Sequence, residues 1–170
     1  MASQQQDAGT GAYLIRGAAI LGGAPEDLLI RDGIIAERGQ NLPADGATVI
    51  EAAGLVALPG MVDIHTHLRE PGREDAETVE TGTRAAALGG YTAVHAMANS
   101  TPVADTAGVV EQVLTLGRTA GWVDVRPVGA VTVGLAGTQL SEIGAMADSR
   151  AAVRVAPSAS ESVAPSARYL

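Results

Sequence analysis

Two histidines stand two residues apart in the segment 63–72, directly after an apolar run. Side chains along a β-strand repeat with a period of two, so His65 and His67 are expected to lie on the same face. Neutral imidazole is a good zinc ligand, and two imidazoles on one face supply half of a four-coordinate site. Arg69 follows two residues later and adds a cation suited to a small carboxylate. The segment therefore predicts a metal site beside an anion-binding group.

A second strand with polar residues near its end is expected over Tyr91–Met97. Asn99 falls at its carboxyl end, where the active-site groups of parallel barrels lie, although an Asn at this point also fits a plain turn. His95 lies deeper in the strand, and we expect a hydrogen-bonded histidine there rather than a third metal ligand. The charge run Glu70–Glu77 predicts a solvated loop that leads into a helix, with acidic residues near the helix N-terminus.

The composition of the 170 residues excludes several kinds of chemistry. The net charge of −8 argues against nucleic acid or an anionic membrane surface as a partner. The chain has no Cys, which excludes disulfides and thiolate metal sites, and no Lys, which excludes Schiff-base chemistry and a carbamylated-lysine metal bridge. It shows no signal peptide and no apolar run that could span a membrane, so we expect a cytoplasmic protein.

The elements that must position these groups change character along the chain. Short apolar runs fill the first 56 residues and predict a small β module, with separate strands at Ala12–Ile15 and Ala18–Leu21 and a tight hairpin at Asp32–Gly33. From residue 57 to 155, apolar strands alternate with helical patterns, which predicts an α/β fold with a parallel sheet.

Helices are expected within that α/β region over Thr78–Leu88 and Thr106–Ala120, the second with Asp105 as its N-cap. The last stretch, residues 156–170, is rich in Ala, Ser and Pro and has no apolar period. It is expected to be a disordered or non-native tail.

Three segments of the chain closely resemble dihydroorotases of the bacterial type I group, which belong to the amidohydrolase superfamily. They are residues 58–72, 81–94 and 97–102, within a similarity that runs from about Tyr13 to about Val155. Hydantoinases share the Asp-x-His-x-His strand, but the extension through Glu70-Pro71-Gly72 points to dihydroorotase. The resemblance implies about the first half of a TIM-like (β/α) barrel over residues 57–155. It also implies that residues 1–56 form part of a composite β-sandwich.

The resemblance also implies an activity and a set of site residues. The activity is the zinc-dependent, reversible cyclisation of N-carbamoyl-L-aspartate to L-dihydroorotate in de novo pyrimidine biosynthesis, with one or two Zn²⁺ per complete site. His65 and His67 match metal ligands, and the positions that match substrate contacts are His67, Leu68, Arg69 and Asn99. Arg69 would face the substrate carboxylate. The family's catalytic aspartate and its further metal ligands are expected beyond this chain, so no residue here is assigned a catalytic role.

Several alternatives stay open at this point. The chain could be a hydantoinase or dihydropyrimidinase relative, a non-catalytic dihydroorotase-like partner of aspartate transcarbamoylase, or a remnant without a role. A barrel takes roughly 250 residues, so half a barrel would leave an unpaired strand edge that favours self-association. By itself the chain is expected to be inactive. The change in composition after Val155 suggests a truncated or frame-shifted gene.

Overall fold

The structure is a computed structural model that describes residues 11–150 and the strand Arg154–Val155. Every structural statement below concerns these residues, and the expected disorder of residues 156–170 lies outside them. The chain divides into two compact units between Pro59 and Gly60, and each unit is described by itself.

The first unit contains a five-stranded sheet. Its strands are Tyr13–Ile20 (β1), Pro25–Arg31 (β2), Ile34–Gly39 (β3), Thr48–Glu51 (β4) and Val56–Ala57 (β5). β2 pairs antiparallel with both β1 and β3, whereas β4 and β5 each pair parallel with β1. The described residues of this unit supply one sheet, so the second layer of a sandwich stays a prediction.

The loops and irregularities of this sheet follow local chemistry. The predicted hairpin at Asp32–Gly33 is confirmed, since the two residues join β2 to β3 with φ of 51° and 74°. The prediction of two strands before Leu21 is wrong, because β1 is continuous. The register between β1 and β2 shifts near Gly17, and there the buried carboxylate of Asp27 accepts a hydrogen bond from the Gly17 N–H at 2.8 Å.

The second unit contains a four-stranded sheet and three α-helices. The elements in chain order are Met61–Thr66 (β6), Val79–Leu88 (α1), Tyr91–Ala96 (β7), Ala107–Ala120 (α2), Asp124–Gly129 (β8), Ile143–Ala147 (α3) and Arg154–Val155 (β9). The sheet order is β6-β7-β8-β9, and each neighbouring pair is parallel. The predicted α/β class with a parallel sheet is confirmed.

The helices pack on this sheet through buried apolar side chains. One cluster joins the sheet to α1 and α2 and consists of Leu68, Val79, Val94, Ala96, Val113 and Val125. The prediction that Asp105 caps α2 is wrong: Thr106 is the N-cap, and Asp105 accepts a hydrogen bond from the Gly134 N–H at 2.8 Å instead. Of the helices described here, none is long and apolar enough to cross a membrane.

Candidate functional site at the ends of β6 and β7

The candidate site lies where two neighbouring parallel strands end. The Met97 N–H, just past β7, donates to the carbonyl of Thr66, the last residue of β6, at 2.9 Å. His65 and His67 flank that last residue of β6, and Asn99 follows β7 by three positions. The carboxyl ends of parallel strands are the edge at which α/β proteins collect their ligand-binding groups.

The rings of His65 and His67 lie against each other. Their centroids are 5.1 Å apart, and the ring planes meet at 73°. Nδ1 of the half-buried His67 lies 2.8 Å from Oδ1 of Asn99. An amide oxygen only accepts hydrogen bonds, so Nδ1 carries the proton and donates it. This tautomer leaves the lone pair of Nε2 available. In metal-binding histidines, a hydrogen bond from one ring nitrogen commonly fixes the tautomer so that the other nitrogen can bind the metal.

Replacing Asn99 with leucine is expected to release the tautomer of His67. The chain has three histidines, so each ring can be assigned in a ¹⁵N NMR spectrum recorded at a pH where imidazole is neutral. We expect His67 to be protonated at Nδ1 in the unsubstituted chain and to populate both tautomers in Asn99→Leu. Asn99→Asp keeps an acceptor at the same position and should keep the Nδ1–H form. An unsubstituted chain with His67 protonated at Nε2 would contradict the hydrogen bond.

His65 is held through its backbone rather than its ring. Its N–H donates to Oδ1 of Asp63 at 3.0 Å, and its ring makes no hydrogen bond within the described part of the chain. The same backbone bond is the largest influence on the Asp63 carboxyl and lowers its pKa, with burial as the main opposing effect. Asp63 therefore acts as an ionised acceptor that positions the next-but-one residue.

Two roles at this site were missing from the sequence-based analysis. Asp63 has no predicted role above, although an Asp side chain commonly accepts the backbone N–H two residues further on. His95 is half-buried, and its Nδ1 lies 3.3 Å from the Asp63 carbonyl oxygen. That contact agrees with the expected hydrogen-bonded histidine, but its partner could not be read from the sequence.

Leu68 and Arg69 lie in contrasting surroundings. Leu68 is 4% exposed and belongs to the apolar cluster with Val79 and Val94, so a substrate contact at this position would have to come from its backbone. Arg69 is exposed and has a φ of 61°. Its guanidinium makes no ion pair or hydrogen bond within residues 11–150, which leaves it available to an external anion.

The loops that follow β6 and β7 contact each other closely. The Thr101 N–H donates to the Pro71 carbonyl at 2.9 Å, and a Cβ built on Gly72 would lie 2.1 Å from the Thr101 carbonyl oxygen. In the first loop, Oε2 of Glu70 accepts the N–H of Val79 at the start of α1, at 2.7 Å, where a negative charge is favourable. These contacts hold the loop that contains Arg69 against the loop that contains Asn99.

His65 and His67 are the described residues suited to a metal ion. Imidazole nitrogen is a donor that zinc prefers, and the hydrogen bond of His67 already leaves its Nε2 unprotonated. Residues 11–150 contain no group of three or more His, Asp or Glu side chains placed to hold a metal. The pair therefore fits half of a tetrahedral ligand set, and further ligands must complete it.

Comparisons with known proteins agree on one family. The chain matches a family model described as dihydro-orotase-like over residues 54–164, which passes Val155, where we expected the resemblance to end. It is 66% identical over 143 residues to the dihydroorotase of Leifsonia xyli subsp. xyli and 66% identical over 142 residues to that of Streptomyces coelicolor. Each alignment covers 84% of this chain and 33% of the relative. The chain thus spans about a third of the length of these relatives.

Solved structures of cyclic-amide hydrolases share the fold. A D-hydantoinase matches with a TM-score of 0.55 and 29% identity, over 71% of this chain and 27% of its own. The L-hydantoinase (dihydropyrimidinase) from Arthrobacter aurescens has a TM-score of 0.62 at 22% identity, over 72% of this chain and 29% of its own, which is a likeness of fold. Because the family model matches more than half of the residues, the chain belongs to the dihydroorotase-like family.

Proposed function

We propose that this chain is part of a dihydroorotase, which interconverts N-carbamoyl-L-aspartate and L-dihydroorotate in de novo pyrimidine biosynthesis with the help of zinc. The observation that carries the proposal is the hydrogen bond from His67 to Asn99 beside the ring of His65. This bond places the two histidines, which are suited to a metal ion, beside the Asn99 amide, which is suited to a substrate contact, at the ends of β6 and β7. Two relatives that are 66% identical to this chain are named dihydroorotase, which favours this substrate.

The proposal extends to the architecture. The second unit would form about the first half of a (β/α)₈ barrel, and the first unit would form part of a composite β-sandwich. β6 lies at an edge of its sheet and exposes apolar side chains, including Ile64 at 75%. A closing strand would cover this edge, as barrels require. Ile34 and Ile35 of β3 are both exposed, and because neighbouring strand residues face opposite sides of the sheet, a second layer of the sandwich would cover one of them.

The site residues would divide the work by their chemistry. His65 and His67 would hold the zinc ion, which in such sites acts as a Lewis acid and activates water at neutral pH. Arg69 would bind a carboxylate of the substrate, since its guanidinium has no partner within residues 11–150 and a guanidinium matches a carboxylate in shape. Asn99 accepts from His67 through Oδ1, which leaves its amide N–H groups free to donate to the same substrate.

The described residues are an incomplete catalytic set. The carboxylate of Asp63 accepts the backbone N–H of His65, and no third metal ligand joins the histidine pair within residues 11–150. Opening or closing a cyclic amide also needs a group that carries a proton to or from the ring nitrogen. We therefore expect turnover when these residues are combined with the remaining two-thirds of a relative.

A hydantoinase or dihydropyrimidinase activity is the second candidate, because solved enzymes of that name share the fold. The two candidates differ in the substrate. Dihydroorotate carries a ring carboxylate and dihydrouracil has none, so a guanidinium at the site favours dihydroorotate. Arg69 at the exposed start of the loop after β6 therefore supports the first candidate.

A graft tests the proposed function. Residues 12–150 of this chain replace the aligned segment of the Streptomyces coelicolor dihydroorotase, and the hydrolysis of dihydroorotate and of dihydrouracil is measured beside the unaltered relative. We expect the graft to bind zinc and to turn over dihydroorotate at a rate close to that of the relative. A folded, zinc-loaded graft that prefers dihydrouracil would contradict the proposal and support the second candidate.

A further inference from the structure

His65 lies in a β-bulge of β6. In this interval β6 has two residues where β7 has one, His95, and the interval is bounded by the pairs Asp63–Val94 and Thr66–Ala96. A bulge of this kind leaves backbone groups unpaired and re-aims the local side chain, and bulges are frequent next to active sites. The bulge therefore sets the position of His65, whose ring is exposed, and the flanking side chains must stabilise the bulge.

Two side chains take up backbone groups of the bulge. The carboxylate of Asp63 accepts the N–H of His65 at 3.0 Å, and Nδ1 of His95 lies 3.3 Å from the carbonyl oxygen of Asp63. A carbonyl oxygen can only accept, so Nδ1 of His95 must carry the proton and donate. The neighbouring strand thus contacts the bulge through the single residue that faces it.

The two proposed metal ligands differ in what holds them. His67 is fixed through its ring by Asn99, whereas the ring of His65 has no hydrogen bond within the described residues. The direction of the His65 ring follows from its backbone, and its backbone follows from the bulge. A change that straightens the bulge would move one ligand and leave the other in place.

We propose that His95 is a positioning residue of the metal site: its Nδ1–H holds the bulge so that the ring of His65 stays beside that of His67. This inference rests on the proposed zinc site. His95 itself stays outside the ligand set, because the carbonyl of Asp63 occupies its Nδ1 and it joins no group of three metal-type side chains in residues 11–150.

The same pair of strands provides a matched control. At the other end of β6, the hydroxyl of Thr92 on β7 donates to the carbonyl of Met61 at 3.3 Å. This bond has the same length as that of His95 and joins the same two strands, but it lies away from the histidines. Thr92→Val removes it with little change in shape.

The experiment titrates zinc into the metal-free graft described above, in which the relative supplies the further ligands, and compares the zinc affinity of the variants. His95→Leu, which removes the donor, should weaken zinc binding by about tenfold or more, as the loss of outer partners usually does. His95→Asn places an amide N–H near the position of Nδ1 and should restore most of the affinity. Thr92→Val should bind zinc like the unsubstituted graft, even if both substitutions lower the melting temperature. Unchanged affinity in His95→Leu, or an equal loss in Thr92→Val, would overturn the inference.

Zinc-free measurements keep this inference separate from the proposed function. The unsubstituted chain should show His95 protonated at Nδ1, and the amide of His65 should exchange with solvent faster in His95→Leu than in Thr92→Val. A graft that fails to bind zinc, together with a chain that shows both features, would contradict the proposed metal site and leave the bulge support standing. An Nε2–H tautomer of His95 would overturn the support even if zinc binds and even if His95→Leu fails to fold.

Discussion

His67→Ala in the grafted dihydroorotase is expected to lower turnover by at least about a hundredfold, because it removes a proposed metal ligand rather than an outer partner. The imidazole is half-buried and oriented by the 2.8 Å bond to Asn99, so the substitution removes both a ligand and the contact that orients it. The loss should appear in kcat/KM and in the zinc content of the purified protein, which is measured by elemental analysis.

The matched control for this substitution is Arg73→Ala. Arg73 lies in the loop after β6 with an exposed side chain, and its ion pair is with the equally exposed Asp75 at 3.2 Å. Such surface pairs contribute little to stability, so Arg73→Ala should keep both zinc and turnover. A His67→Ala graft that retained full zinc content and turnover would refute the proposed metal site.

Gly72→Ala is expected to destabilise the second unit by about 2–4 kcal/mol. Two costs combine: φ is 99°, which L residues avoid, and the new Cβ would lie 2.1 Å from the Thr101 carbonyl oxygen, which is backbone and cannot rotate away. The loops that carry Arg69 and Asn99 would have to separate. Urea unfolding followed by the fluorescence of Trp122, the single tryptophan, measures the change in free energy.

Gly134→Ala separates the two costs. Gly134 lies in the same unit and also has a positive φ, 60°, but an added Cβ would meet no atom within 4 Å. Its substitution should cost about 1 kcal/mol, which is the conformational part alone. The contact with Thr101 is refuted if the two variants unfold at the same urea concentration.

The sequence indicated the two histidines that we propose as metal ligands, but not the geometry that positions them. A period of two places His65 and His67 on one face of a regular strand, yet the strand contains a bulge between Asp63 and Thr66. A bulge depends on the pairing register with a strand almost thirty residues away, and register is a tertiary property. The contact of His95 with a backbone carbonyl was out of reach for the same reason.

Resemblance to a family motif also could not show which residues of the segment after β6 pack in the core and which are available to bind a ligand. Leu68 and Arg69 are neighbours in a segment that resembles substrate-contacting positions, but Leu68 is buried in the core and Arg69 is exposed.

The N-cap of α2 illustrates a similar limit. Asp105 and Thr106 are both good caps by residue type, and the choice between them followed from the Gly134 N–H, which is distant in sequence and binds Asp105.

The pairing of β6 with β7 contains a second offset, since Met61 pairs with Tyr91 and the next residue pairs with Ala93. β7 has a surplus residue near its start and β6 has one near its end, so the pairing offset between the two strands is the same at both ends. Deleting one residue between Asp63 and Thr66 would restore a regular strand and leave those two residues paired as they are, but it would remove the irregularity that directs the ring of His65. A homologue that is one residue shorter here should keep the pairing of β6 with β7 and lose the close approach of the two imidazoles.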